Sequence, residues 1–343
     1  MNILIIANSK PSIGSIELSL KRGFEGCEAR IDLIYPESII SFSDHRNLIF
    51  RILQRIESLL KLKQLSLFYK LIGLKKNNYD FALAIKGSNL SPQSINKIKS
   101  WGIKIYGYNP GDPYNLKSSS ANIIQCLPLY DTHFSWSKSL VKKIAEREGV
   151  KTFYLPFAAD EELSFLETHS KQVKQYRYSI SFIGNWDTER ERQLNLVEKK
   201  SDLVLFGYNW AEKLKSKDLI SSYSGIEVPP DKLRNFVSDS LINLNFLRMQ
   251  NKGSNNMRTF EILASGGMLL HEYSDEVALY FDEGVEIEFF RSKEELNNKI
   301  SYYLDNPIEA ERIAYNGKMK IISGKHTYKD RAKRIIQIHT NEC

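Results

Sequence analysis

The sequence predicts an α/β protein of two domains, each built around a parallel sheet. Its 343 residues exceed the size at which a single hydrophobic core usually stops growing. Apolar runs of strand length alternate with segments of helical period, which is typical of parallel α/β construction. The alternation lapses between residues 157 and 177 and then resumes. We therefore expect one domain in residues 1–170 and a second in residues 171–325.

Strand-length apolar runs of the first half lie at residues 3–7, 30–34, 81–85, 103–108 and 152–155. Between the second and third runs, a segment that begins at Asn47 and ends at Lys76 carries apolar residues at helical spacing with basic residues between them. This segment predicts one long or broken amphipathic helix.

The second half repeats the pattern, with strands predicted at residues 178–183, 203–206, 241–245, 268–271 and 285–289. Helices are expected to start near Asp187, Asp231, Asn256, Ser292 and Pro307. The last helix, in residues 326–343, is expected to pack back toward the first domain.

The net charge and the cysteine content limit the functional classes to which the protein can belong. The net charge is +7, and residues 46–104 hold 12 Lys and Arg against two acidic residues. Such an excess fits anionic lipid, nucleic acid, an acidic substrate or simply a solvated helix face. The three cysteines lack metal-ligand spacing, and the apolar start lacks a basic leader, so we expect a cytoplasmic protein.

In an open parallel sheet, ligands bind beyond the carboxyl ends of the strands. One such loop begins with Gly184 and Asn185 and leads into a helix that contains Arg190. A glycine beside a helix N-terminus suits a phosphate, but the same residues also make an ordinary turn and cap.

The stronger signal is the segment from residue 255 to residue 267, with Asn255, Asn256 and Met257 at the start of a predicted helix. Arg258 and Glu261 are three residues apart and therefore share a helix face. Arg258 and the exposed backbone N–H groups suit a diphosphate, and the Glu261 carboxylate suits ribose hydroxyls. An ion pair on the helix surface is the alternative.

The run RTFEILASGG from Arg258, with the later segments around Glu283, Ser292, Asp305 and His326, resembles the C-terminal half of CgeB-like glycosyltransferases. These are GT-B enzymes, with two Rossmann-like domains whose sheets face each other across a cleft, and they are related to retaining glycosyltransferase family four. Looser similarity extends over most of the chain. Many family-four enzymes have a glutamate eight residues before the ribose glutamate, where this chain has Gly253, so the motif does not establish retention of configuration.

The resemblance implies a nucleotide-sugar donor site in the second domain. It implies that Glu261 contacts the ribose, and that Arg258 and the Gly184 loop face the diphosphate. It also implies that the base lies near the segments with the following residues: Gly207, Tyr208, Ile226 and Val228.

For the acceptor side, we expect Asp112 to act as general base, because it follows a predicted strand in a Pro-Gly-Asp-Pro turn. A turn-forming Asp explains the same residue equally well. Further candidates for phosphate or acceptor contacts are Lys86, Tyr108, Asn109 and Arg190.

No Asp-x-Asp pair follows a strand, so we expect no metal and no cofactor. No Gly-x-Gly-x-x-Gly follows a strand either, which argues against a dinucleotide-dependent oxidoreductase. The predicted function is transfer of a sugar to a polysaccharide, lipid-linked or other surface-glycan acceptor, with the 47–76 segment at an anionic membrane surface and no nucleic acid as partner. A GT-B sugar-nucleotide epimerase or hydrolase and a non-catalytic basic binding protein remain the alternatives.

Overall fold

The computed structural model describes residues 1–38, 48–74, 79–115, 119–165 and 175–342. The chain divides into two compact units, Met1–Pro156 and Phe157–Cys343. Over the described residues, one unit contains a six-stranded sheet and the other a five-stranded sheet, and all of the strand pairings are parallel. The predicted fold class is confirmed.

The first sheet has the order β2-β1-β3-β4-β5-β6. Its strands are β1 Asn2–Ile6, β2 Arg30–Ile34, β3 Phe81–Ile85, β4 Lys104–Asn109, β5 Thr132–Ser135 and β6 Thr152–Tyr154. All five apolar runs predicted in this half form strands. The sequence analysis missed β5, because its four residues, Thr-His-Phe-Ser, contain one strongly apolar side chain although all four are buried.

The helices of the first unit are α1 Ile16–Glu25, α2 Leu48–Leu59, α3 Leu62–Gly73, α4 Pro92–Lys99, α5 Ala121–Cys126 and α6 Lys138–Glu148. The predicted amphipathic helix is thus broken into α2 and α3. The break lies at Lys61, whose φ of 53° is left-handed and ends a run of helical backbone. Asn47 and Lys76, the predicted limits of this helix, lie outside the described residues.

The second sheet has the order β11-β10-β9-β7-β8. Its strands are β7 Tyr178–Ile183, β8 Leu203–Phe206, β9 Ser240–Asn245, β10 Leu269–Glu272 and β11 Glu288–Phe290. The helices are α7 Glu161–Ser164, α8 Thr188–Leu194, α9 Trp210–Lys213, α10 Leu233–Ser238, α11 Met257–Ala264, α12 Lys293–Asp305, α13 Pro307–Ser323 and α14 Tyr328–Glu342. Each strand and helix predicted in this half is present within a few residues.

The division between the units falls earlier than the predicted boundary at residue 170, which lies outside the described residues. The chain after residue 156 belongs with the second unit because it hydrogen-bonds to the start of α14. The Tyr328 amide donates to the Ala159 carbonyl at 2.9 Å, and Arg331 Nη2 donates to the Phe157 carbonyl at 3.1 Å. The predicted return of the last helix to the first domain stays a prediction.

Both sheets have a topological switch point, where the chain leaves one side of a strand and continues on its other side. In the first unit this point lies between β1 and β3, and in the second unit it lies between β7 and β9. Loops that leave two such strands diverge and form a crevice at the carboxyl edge of the sheet. The two crevices are therefore the first places to look for bound substrates.

Candidate active site

The loops after β7 and β8 are joined at the carboxyl edge of the second sheet. The Trp186 amide donates to the Tyr208 carbonyl at 2.9 Å, and Trp210 Nε1 donates to the Gly184 carbonyl at 2.7 Å. Gly207 allows this contact: a Cβ atom on it would lie 2.3 Å from the Gly184 carbonyl oxygen. Gly207 and Gly184 therefore allow the two loops to pack directly against each other. We call the surface that these two loops form the floor of the site.

Three arginines surround this floor. Arg190, on α8, is 8% exposed and donates from Nη1 to the Asn185 carbonyl at 3.1 Å. Arg248 follows β9, and its Nε lies 3.8 Å from a carboxylate oxygen of Asp187. Arg258 lies in the first turn of α11 and donates from Nε to the Ile183 carbonyl at 3.0 Å, at the end of β7. We call Arg190, Arg248 and Arg258 the arginine cluster.

The charges of the arginine cluster act on one another. Burial, and after it the positive charges of Arg248 and Arg258, lower the pKa of Arg190 to about 9, and Asp187 opposes them. Positive charge that is partly removed from water and incompletely compensated favours a bound anion. The cluster is therefore a candidate site for phosphate groups.

Arg258 Nη1 donates to Glu261 Oε2 across one turn of α11, so the two side chains form the ion pair that the sequence analysis gave as the alternative to a donor site. Both side chains are partly exposed. Because Arg258 also binds the end of β7, the pair lies beside the Gly184 loop. Glu261 thus has a carboxylate next to, but not within, the arginine cluster.

The three residues before Arg258 have different surroundings. Asn255 is fully buried, accepts from the Phe157 amide at 3.2 Å and donates to Glu276 Oε2 at 3.3 Å. Asn256 caps α11, because its Oδ1 accepts from the Thr259 amide at 3.0 Å. Met257 is half-buried. The side chains of Asn255 and Asn256 hold the loop and the helix in place, so only their backbone is suited to a donor.

Two segments predicted near a nucleotide base meet at Gly207, whose amide donates to the Ile226 carbonyl at 3.0 Å. The side chains of Tyr208 and Ile226 are exposed, whereas Val228 is buried. Tyr208 and Ile226 are therefore available to a planar base, and Val228 serves the core.

The first-unit candidates lie at the ends of β3 and β4. Asp112 Oδ1 accepts from the Tyr114 amide at 2.8 Å, and Asn109 Oδ1 accepts from the Gly111 amide at 3.0 Å, so both side chains stabilise their own turn. Tyr108 is buried in the sheet. Lys86 follows β3 directly and has a left-handed φ of 62°, and its amide donates to the Tyr108 carbonyl at 2.8 Å.

Arg248 was not singled out from the sequence. It lies in the polar stretch RMQNKGS, where local patterns do not distinguish it from other surface arginines. Its position after β9, beside the switch point, is the signal that would have found it. Among the described residues, no group of three His, Cys, Asp or Glu side chains is arranged to hold a metal ion.

Residues 189–337 match the profile of the Glycosyl transferase-like family. This segment contains Arg190, Arg248, Arg258 and Glu261. No curated protein sequence is significantly similar to the chain. The match covers most of the second unit and includes the whole arginine cluster.

Solved structures resemble the entire chain. T4 phage β-glucosyltransferase in complex with UDP-glucose matches with a TM-score of 0.64 at 10% identity, covering 98% of this chain and 99% of that one. HepE of Anabaena in complex with UDP and glucose matches with a TM-score of 0.65 at 12% identity, covering 99% and 100%. Sucrose-phosphate synthase of Thermosynechococcus elongatus matches with a TM-score of 0.62 at 9% identity, covering 99% of each chain.

The chain is a glycosyltransferase of the GT-B fold. The structural similarity over the full length shows the fold. The family match in the second unit supports the enzyme class. The narrower assignment of this glycosyltransferase to CgeB-like enzymes of family four stays a prediction. None of its described helices combines the length and apolar character that a membrane span requires.

Proposed function

We propose that this glycosyltransferase takes a sugar from a nucleotide-sugar donor held at the arginine cluster and transfers it, without a metal ion, to a glycan or lipid-linked acceptor of a surface polysaccharide. The observation that carries the proposal is the joint placement of the arginine cluster and Glu261 around the loops after β7 and β8. A diphosphate needs positive charge, and a ribose needs an acceptor of two hydrogen bonds.

The donor diphosphate would meet the guanidinium groups of Arg190, Arg248 and Arg258. Its negative charge would offset the burial and the repulsion that together lower the pKa of Arg190. Glu261 would accept hydrogen bonds from the ribose. Because the T4 phage enzyme and HepE bind UDP-sugar or UDP, we propose UDP as the nucleotide of the donor.

In the reaction, the acceptor hydroxyl oxygen bonds to the anomeric carbon, and the bond from that carbon to the diphosphate oxygen breaks. The electron pair of the broken bond goes to the diphosphate. The arginine cluster neutralises the charge that develops there, which is the usual role of fixed cations at a leaving group. We propose Asp112 as the base that receives the hydroxyl proton.

Titration calorimetry with UDP, GDP, dTDP and CMP, with EDTA present, tests the donor site. We expect UDP to bind best and Glu261→Ala to weaken it by about tenfold to a hundredfold, because hydrogen bonds to a charged group are lost. If none of the four nucleotides binds, the proposed donor site is wrong.

Turnover with UDP-sugar separates transfer from hydrolysis or epimerisation, since only transfer depends on an added acceptor. Asp112→Asn is expected to lower turnover by about 10²-fold or more while UDP affinity stays unchanged. Unaltered turnover would remove Asp112 as the base and leave its role in the turn.

The α2–α3 pair supports a peripheral membrane surface for the lipid-linked version of the acceptor. Each helix presents an apolar stripe to solvent at spacing i, i+4, i+7. The stripe of α2 contains Ile52, Ile56 and Leu59, and that of α3 contains Leu65, Tyr69 and Ile72. The basic excess of residues 46–104 adds attraction to anionic lipid.

Co-sedimentation with vesicles of phosphatidylcholine, with and without phosphatidylglycerol, tests this surface. Leu59→Ser is expected to lower binding by about tenfold, because a side chain 79% exposed loses its transfer to the bilayer. Leu279→Ser, at a leucine 63% exposed in the second unit, is the matched control. Equal binding to vesicles with and without phosphatidylglycerol would count against the proposal.

A further inference from the structure

Two members of the arginine cluster, Arg190 and Arg258, are each fixed by a hydrogen bond from the guanidinium group to a main-chain carbonyl. Arg248 is held differently. Among the residues that the structure describes, its Nε has no hydrogen-bond partner and lies 3.8 Å from a carboxylate oxygen of Asp187. A long side chain without such an anchor keeps much of its rotamer freedom. The position of the Arg248 charge therefore depends on the main chain that carries it.

That main chain is the loop after β9, and it is held by Glu272, the last residue of β10. The Leu247 amide donates to Glu272 Oε2 at 2.9 Å, and Lys252 Nζ donates to Glu272 Oε1. Between these two contacts, the Asn251 amide donates to the Arg248 carbonyl at 2.7 Å and closes a single turn. One carboxylate thus holds both ends of the turn in which Arg248 lies.

The same carboxylate contacts α8, the helix of Arg190. Gln193 is 4% exposed, and its Nε2 donates to Glu272 Oε2 at 3.0 Å. Arg190 precedes Gln193 by three residues, so the two lie one turn apart on α8. Hydrogen bonds to a carboxylate that is mostly buried are among the stronger ones in proteins. Glu272 therefore joins the two elements that carry Arg190 and Arg248.

We propose that Glu272 is a positioning residue of the donor site and holds Arg248 where it meets the diphosphate, an inference that rests on the proposed function. Glu272 is not suited to contact the phosphates itself, because negative charges repel one another. Its own charge is offset by Lys252. Its contribution is to fix a cation before the donor arrives, so that the donor does not have to order Arg248 on binding.

A double-mutant cycle in UDP affinity, measured by calorimetry, tests this role. Glu272→Ala is expected to weaken UDP binding by about tenfold, because Arg248 loses its fixed position. In the Arg248→Ala background, the same substitution is expected to cause a further loss of less than about twofold, since residues that act through one contact are not additive. Glu272→Gln keeps an oxygen that accepts from the Leu247 amide and is expected to restore affinity to within about threefold of the wild type.

Glu288→Ala is the matched control. Glu288 is the first residue of β11, is 5% exposed and accepts from the Tyr303 hydroxyl at 2.7 Å. Its carboxylate is hydrogen-bonded to Tyr303 and Lys299 of α12 rather than to the elements that carry the arginine cluster. Loss of this buried carboxylate is therefore expected to lower stability and to leave UDP affinity unchanged.

Amide hydrogen exchange of residues 246–252, measured without UDP, tests the positioning independently of the donor. We expect faster exchange in Glu272→Ala than in the wild type or in Glu288→Ala. Exchange or UDP affinity left unchanged by Glu272→Ala, or additive losses in the cycle, would overturn the role of Glu272 alone. A wild-type chain that binds no UDP would overturn the donor site, and with it the role of Glu272 at the diphosphate.

Discussion

The guanidinium group of Arg190 lies over the ring of Phe182, with Cζ 5.6 Å from the ring centroid. Burial and the neighbouring charges of Arg248 and Arg258 lower its pKa to about 9. A side chain held in this way has lost much of its contact with water. A bound diphosphate would replace the lost hydration with charge-assisted hydrogen bonds.

At the residue scale, Arg248→Ala separates the arginine cluster from general positive charge. We expect UDP affinity to fall by about tenfold to a hundredfold, since one charge-assisted contact is lost. Arg192→Ala is the matched control, because Arg192 lies on α8, is exposed and pairs with Glu189. Equal losses in the two variants, by calorimetry, would show that the cluster acts only through net charge.

Contacts between side chains were predictable from the sequence where neighbours in one helix decide them. Arg258 and Glu261 form a pair because a spacing of three brings them to one face. Asn255 was predicted beside them as a donor contact, but its side chain is buried against Phe157 and Glu276. That contact depends on a segment about a hundred residues away, which no local pattern records.

At the element scale, the loops after β7 and β8 depend on one glycine. Gly207 has a φ of 131° and leaves no room for a Cβ atom beside Gly184. Gly207→Ala is expected to lower the free energy of unfolding by about 3 kcal/mol or more, from backbone strain and displacement of a main-chain neighbour. UDP affinity is expected to fall with it, because the floor of the arginine cluster moves.

Gly225→Ala is the control for this prediction. Gly225 also has a positive φ, 76°, but a Cβ atom there would meet nothing within 4 Å. Its substitution is expected to cost only about 1–2 kcal/mol, the strain of a left-handed residue. Urea denaturation of both variants measures the difference, and equal costs would contradict the role given to the Gly184 contact.

The α2–α3 pair shows what hydrophobic periodicity decides for an element. The spacing predicted helices, and both are present, but the apolar stripes at Ile52, Leu59 and Tyr69 face solvent. Hydrophobic periodicity predicts which face of a helix is apolar. It does not predict what packs against that face. β5 is the opposite case, since its burial comes from neighbouring strands rather than from apolar residues of its own.

At the scale of the whole molecule, the alternation of strands and helices predicted two parallel α/β units, and both are present. The order of strands was not predictable from that alternation, because pairing partners are distant in sequence. This order brings Arg248 to Arg190 and Asn8 to Ser88. Both crevices therefore follow from topology, which is why Arg248 was missed.

Three buried histidines, one in the first unit and two in the second, have a lowered pKa. Burial lowers the pKa from 6.5 to about 3 for His133, and to about 4 for His271 and His326. At pH above 6.5 these residues are neutral in the folded and unfolded states and do not affect stability. Between pH 6.5 and about 4, the unfolded chain binds protons that the folded chain does not bind, so acid favours unfolding.

We therefore expect the free energy of unfolding to fall as the pH drops below 6.5, by at most about 1.4 kcal/mol per pH unit for each histidine. The ion pairs of Glu283 with Arg291 and Lys299 lower its pKa to about 2. The stability that these ion pairs contribute to the folded chain is lost only below about pH 4.5, the ordinary pKa of the carboxyl group. Urea denaturation at pH 7.0 and 5.5 thus isolates the contribution of the histidines.

His326→Phe preserves the ring contacts with Phe260 and Phe281 and removes one titrating group. The fall in the free energy of unfolding between these pH values is therefore expected to be about 1 kcal/mol smaller in this variant. An unchanged fall would mean that His326 gains its proton without unfolding.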